Sequence, residues 1–172
     1  MSRFSSLPLV RSAGSDALTQ NDPYWSFNFP TTVKEDGNVS HVQFSPQSPH
    51  ELLISAGYHM RLYSRQSAKV GKSFTRFREK CFSGSWRNDG LLIAAGSDEG
   101  IVRVFDKGTV AKAPLREFNA HSRSCQISRF TADGKCVISA ADDGIVRLWD
   151  ISAGEKISEM PVHNGNYKHF QI

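Results

Sequence analysis

The sequence predicts an all-β chain assembled from one repeated antiparallel unit, with almost no helix. Three observations carry that prediction. The chain aligns with itself over three segments, 44–63, 86–105 and 130–149; both the opening aromatics (Phe44, Trp86, Phe130) and the closing ones (Tyr63, Phe105, Trp149) recur at steps of 42 and 44 residues. Within each unit, runs such as Ile101-Val102-Arg103-Val104-Phe105 and Ile145-Val146-Arg147-Leu148-Trp149 have the two-residue alternation of a strand with one buried face. Asp89-Gly90 and Asp133-Gly134 supply one tight turn per unit, and Asp98-Glu99-Gly100 and Asp142-Asp143-Gly144 supply a second, because glycine tolerates the positive φ such turns need. No stretch combines a 3.6-residue apolar period with capping residues.

A period of 40–45 residues with two hairpins and a closing aromatic-Asp pair is the signature of WD40 β-propeller blades. Taken in order, residues 1–30 have weak patterning and read as an N-terminal arm. Residues 31–172 read as partial propeller. Thr31-Thr32-Val33-Lys34-Glu35 resembles the strand that completes a last blade, and repeats follow at about 38–75, 79–119 and 121–160. A lead-in of apolar or small residues precedes each opening aromatic (Val39/Val42, Cys81/Gly84, Cys125/Ser128). It returns as Tyr167/Phe170/Ile172, so 163–172 reads as the start of a further blade. The expected architecture is an incomplete arc of about three blades from a seven-bladed ring, cut at Ile172. Such an arc is expected to expose apolar faces and strand edges and to be poorly soluble alone.

WD40 repeats commonly hold a buried tetrad of His, Ser or Thr, Asp and Trp. Carried over by position, it would comprise His121, Ser139, Asp143 and Trp149. A buried indole N–H and an imidazole both need partners, and a carboxylate accepts from the ring. The same residues also suggest a Ser-His-Asp hydrolase, but Ser139 lies mid-strand with no nucleophile elbow, which favours the structural role. The second unit has Ala95, Glu99 and Phe105 at the matching places, so no tetrad is expected there. Nor is one expected in the first, whose second hairpin is two residues shorter.

Composition bounds the remaining classes. Hydrophobic residues make up 39% and charged residues 22%, and no apolar run approaches the ~18 residues of a membrane helix. No secretory signal is visible after Met1, so the Asn38-Val39-Ser40 sequon carries no weight. Cys81, Cys125 and Cys136 form no CxxC motif, and Cys81 and Cys125 share one repeat position, which predicts buried, unreactive thiols. His163 and His169 are better explained by repeat position than as zinc ligands. With no nucleotide loop and no metal pattern, no cofactor, no metal, no catalytic residue, no membrane and no small-molecule substrate are expected. Charge is concentrated: eight basic residues against the single acid Glu79 lie between Arg61 and Arg87. Arg65, Lys69, Lys72, Arg76 and Arg78 are the candidates for contact with RNA or an acidic partner, with Phe74 and Phe77 interleaved. A solvated loop and strand edge is the alternative.

The less generic stretches go further. Leu18-to-Trp25 (LTQNDPYW), Phe44-to-Pro49 (FSPQSP), SFTRFRE at 73–79, WRNDG at 86–90, PLREFNAH at 114–121 and VRLWDI at 146–151 occur together. In that combination the chain resembles the U3 small nucleolar RNA-associated WD40 proteins of the small-subunit processome. The resemblance implies a non-catalytic scaffold of the nucleus and nucleolus. Its partners would be processome subunits of the early transcription-linked subcomplex, with pre-rRNA or U3 snoRNA contacted directly or through them. It also implies a helical C-terminal assembly domain, which is not expected within residues 1–172. The competing readings are a WD40 adaptor or substrate receptor of another pathway, such as ubiquitin ligation, and the hydrolase above.

Overall fold

A computed structural model describes residues 32–64, 69–109 and 113–162. The chain divides into two compact units, Met1–Glu35 and Asp36–Ile172. In the first, residues 32–35 adopt no regular secondary structure. Thr31, the arm at 1–30 and the lead-in at 163–172 lie outside the described residues.

The second unit is an arc of three four-stranded antiparallel sheets, with no helix among the described residues. Blade 1 comprises β1 (Val39–Phe44), β2 (Leu52–Ala56), β3 (His59–Tyr63) and β4 (Val70–Phe74). Blade 2 comprises β5 (Ser85–Trp86), β6 (Leu92–Gly96), β7 (Ile101–Asp106) and β8 (Arg116–Asn119). Blade 3 comprises β9 (Cys125–Phe130), β10 (Cys136–Ala141), β11 (Ile145–Asp150) and β12 (Lys156–Pro161). Each sheet is ordered as the chain runs. The turns fall on the Asp-Gly pairs, with Gly90, Gly100, Gly134 and Gly144 at φ of 70°, 74°, 70° and 77°.

β5 is much shorter than its equivalent β9, although the sequence places Cys81 and Cys125 at matching positions. Cys81 forms only an isolated bridge to Ser97. The cause is local: Ser83 Oγ accepts the Gly96 N–H at 2.9 Å, so a hydroxyl stands where the ladder would have a carbonyl.

The core lies in two seams between blades. One gathers Leu53, Met60, Leu62, Phe74, Phe77, Cys81, Trp86, Ile93, Ala95 and Phe105; the other Leu92, Ala94, Val102, Val104, Phe118, Cys125, Val137 and Trp149. Alternate residues of β6 enter opposite seams, which is why all of Leu92–Gly96 is buried and reads as one apolar run. Blade 3 has a neighbour on one side only among the described residues, and β12 is exposed throughout, with Met160 56% exposed.

Candidate functional site

Blade 3 brings His121, Ser139, Asp143 and Trp149 together. β10 carries Ser139 and β11 carries Trp149; Asp143 sits in the hairpin joining them, and His121 arrives from the connector after β8. Trp149 Nε1 donates to Ser139 Oγ at 2.9 Å, and Ser139 Oγ lies 2.8 Å from His121 Nε2. His121 Nδ1 lies 3.0 and 3.1 Å from the two Asp143 oxygens. An ionised carboxylate can only accept, and the two hydrogens of the nearby Arg147 Nη1, 2.8 Å from Nδ1, go to Asp143 and the Ala120 carbonyl, so Nδ1 carries the hydrogen and Nε2 accepts from the serine. The protons thus run one way, from indole to hydroxyl to imidazole to carboxylate.

Burial holds the His121 ring below the usual histidine range; the Asp143 charge opposes this and the nearby Arg147 guanidinium adds to it. Burial also works against ionisation of Asp143. That effect is outweighed by the hydrogen bonds Asp143 accepts from Arg147, from His121 and from the Ile145 N–H, which together keep its carboxyl low. Arg147 Nη1 donates to Asp143 at 3.0 Å and to the Ala120 carbonyl at 2.7 Å, binding the hairpin to the connector. Ser139 and the His121 side chain are both 0% exposed.

Blade 2 fills the same slot differently. Forty-four residues before His121 stands Phe77, and the positions of Ser139, Trp149 and Asp143 hold Ala95, Phe105 and Glu99. Phe77 and Phe105 pack at 5.7 Å between ring centroids, so an aromatic pair replaces the polar chain. Glu99 instead pairs with Arg103, the counterpart of Arg147, through two bonds of 3.0 and 3.1 Å. Arg103 Nε donates to Glu117 at 3.0 Å, and its guanidinium lies over the Phe77 ring. Arg103 is 4% exposed. Three contacts recur in both blades: the acid–arginine pair (Arg103–Glu99, Arg147–Asp143), the arginine Nε on an outer-strand glutamate (Arg103–Glu117 at 3.0 Å, Arg147–Glu159 at 3.2 Å), and a connector N–H on the acid, from Arg78 to Glu99 at 2.9 Å and from Ser122 to Asp143 at 3.3 Å. The sequence sets Phe77 among the basic residues and marks neither Arg103 nor Glu117; the 44-residue offset from His121 and the Arg103/Arg147 match are the signals that point to this slot.

The basic run does not form one patch. Arg65 lies outside the described residues. Lys69 precedes β4 and Arg76 follows it, so a strand separates them by roughly 20 Å at about 3.3 Å per residue. Lys72 is committed elsewhere: its ammonium donates to the carbonyls of Asp106 at 2.9 Å, Lys107 at 2.7 Å and Thr109 at 2.5 Å. Arg116, 44 residues on, does the same for the next seam, reaching the carbonyls of Ile151 at 3.0 Å and Ser152 at 3.3 Å. Phe74 and Phe118 repeat as well, packing on Phe105 and Trp149 at 4.9 and 5.1 Å. These cation and aromatic pairs clamp each outer strand to the following blade. Arg76 and Arg78 remain as exposed side chains with no acid in ion-pair reach among the described residues. The Cys81 and Cys125 thiols are buried and pushed up to about 12 by that burial, which leaves them unreactive.

The WD domain, G-beta repeat family matches residues 112–150, which take in all four residues of the blade 3 tetrad. Along a longer span the chain is similar to U3 small nucleolar RNA-associated protein 15 homologs. It is 34% identical to that of Xenopus laevis over 86% of the chain and 28% of the relative, and 34% identical to that of Gallus gallus over 72% and 24%. The Schizosaccharomyces pombe protein of that name is 31% identical over 74% of the chain and 24% of its own length. The chain spans about a quarter of the length of the curated relatives it matches. These relatives are the fifteenth of the numbered U3-associated series, the member to which the non-generic stretches point.

Proposed function

We propose that this WD40-repeat chain, a relative of the U3 small nucleolar RNA-associated protein 15 homologs, serves as a non-catalytic scaffold in small-subunit ribosome biogenesis. The observation that carries the reading is the kinship, at 31–34% identity over 72–86% of the chain, with proteins named for U3 association. The work is pre-rRNA transcription and processing and maturation of the small-subunit RNA, in the nucleus and nucleolus. The partners are the other subunits of the early transcription-linked subcomplex of the processome.

The chemistry of blade 3 supports a structural role for His121, Ser139, Asp143 and Trp149. Ser139 Oγ accepts the indole N–H, donates to His121 and is itself fully buried, so a substrate has no space to reach it. His121 is buried and its carboxylate partner is shared with Arg147 and two backbone N–H groups. Of the basic run, Arg76 and Arg78 are the side chains suited to meet RNA phosphates or an acidic partner surface, with Lys69 a separate contact at the other end of β4; Lys72 serves the seam.

Affinity purification of the full-length protein from growing cells is the direct test. Recovery of U3 particle components and pre-ribosomal RNA is expected. Recovery of ubiquitin-ligase subunits in their place would overturn the assignment.

A further inference from the structure

A cleft lies on blade 2. The connector of residues 75–78 forms one wall, and the outer half of the blade, β7, β8 and the approach to β8, forms the other, enclosing about 570 Å³. In blade 3, Arg147 Nη1 bonds the Ala120 carbonyl at 2.7 Å and so ties the connector to the blade. In blade 2, among the described residues, Arg103 makes no such bond to Arg76; its guanidinium is held by Glu99 and Glu117, as that of Arg147 is by Asp143 and Glu159.

We propose that this cleft binds an acidic, partly aliphatic peptide segment of a partner protein. The proposal rests on the scaffold reading only in taking the ligand to be a protein. Three observations select the ligand. Arg76 and Arg78 flank the cleft, exposed and without an acid in ion-pair reach among the described residues, whereas Glu99 and Glu117 are already matched by Arg103. Between the two arginines lies Phe77, with Ile101 and Pro114 opposite, an apolar floor that takes an aliphatic side chain. Glu117 remains 45% exposed at the side chain and can accept a peptide N–H. The same two wall carboxylates oppose a phosphate backbone, which carries charge at every residue and offers no N–H donor, so the mixed lining favours a peptide over RNA.

The test uses fluorescence anisotropy on the full chain with two labelled probes: an eight-residue peptide alternating Glu or Asp with Leu, and an eight-nucleotide oligo-uridine. Peptide binding is expected to weaken at least tenfold in the Arg76→Ala/Arg78→Ala double variant and to persist unchanged in Lys135→Ala. Both arginines are exposed, so an unaltered melting curve should accompany the loss. Glu117→Gln is expected to leave peptide binding equal or weaker. Equal peptide affinity in the double variant would overturn the proposal. So would oligo-uridine binding that the double variant abolishes and Glu117→Gln strengthens, with the peptide failing to bind. Both results are read on isolated protein, so they stand apart from the purification that tests the pathway.

Discussion

Blades 2 and 3 share a fold, a register and four aligned positions, yet they satisfy one buried slot by opposite chemistry. Blade 3 runs a chain of hydrogen bonds from Trp149 through Ser139 and His121 to Asp143. Blade 2 replaces His121, Ser139 and Trp149 with the apolar Phe77, Ala95 and Phe105 and keeps only the ionic part, an Arg103–Glu99–Glu117 cluster that blade 3 has as Arg147–Asp143–Glu159. A buried polar network must be complete or absent, because each unmatched donor or acceptor carries its full desolvation cost. The two blades are the two complete solutions, and the intermediate combinations are the unstable ones.

That comparison can be broken from either side. The largest effect is expected from Arg103→Ala, which leaves the half-buried Glu99 and Glu117 without their cation; a loss of about 3–5 kcal/mol in urea unfolding is expected, as for other broken buried pairs. Gly100→Ala should fall in a similar range: a Cβ there would lie 2.2 Å from the His121 carbonyl oxygen, at a φ of 74°. That backbone contact joins blades 2 and 3, so the penalty belongs to the seam. A loss under 1 kcal/mol would show that the seam yields.

Ser139→Ala strands the Trp149 N–H and the His121 acceptor and should cost about 1–3 kcal/mol. The sharper experiment grafts the blade 2 solution into blade 3, combining His121→Phe, Ser139→Ala, Asp143→Glu and Trp149→Phe. The graft is expected to cost less than the sum of the four single variants, by at least ~1 kcal/mol of coupling in a mutant cycle. Simple additivity would refute the claim that the slot is chosen as a unit.

The smallest effect is pH dependence. The fold favours neutral His121, so its folded pKa lies below the unfolded value near ~6.5, and the unfolded chain takes up the proton first. Its contribution is therefore complete above about pH 6.5 and declines as pH falls toward the folded value. Asp143, also lowered, adds a loss of the same sign below about pH 4. His41 is shifted downward as well, chiefly by burial and then by Arg129, so it contributes in the same window. Melting curves between pH 7.5 and 5.5 should show a downward slope that His121→Gln reduces and that His121→Gln with His41→Gln reduces further. A slope untouched by both changes would remove the neutral-ring account.

Much of the fold could be read from the sequence because its cues are local or periodic. Gly90, Gly100, Gly134 and Gly144 stand where positive φ is needed, and the 42- and 44-residue steps align strands that pair as equivalents. The tetrad positions were legible for the same reason: each residue lies at a fixed place in one repeat. Phe77 was within reach of the same offset, but a phenylalanine beside arginines reads equally well as a surface strand. The shortening of β5 was not legible, since it turns on the direction in which one hydroxyl, Ser83 Oγ, points.

By itself, then, the sequence determined an all-β repeat, its hairpins, the blade 3 tetrad positions and the buried cysteines, because residue type and period suffice for backbone conformation and for which face is apolar. Only the tertiary structure decided what each cation does. Lys72 and Arg76 are four residues apart in one basic run, yet Lys72 is drawn into carbonyls of the next blade while Arg76 is left at the lip of a cleft. Whether a charge is neutralised or available depends on groups 34 or more residues away that folding brings within 3 Å, and no local pattern encodes that distance.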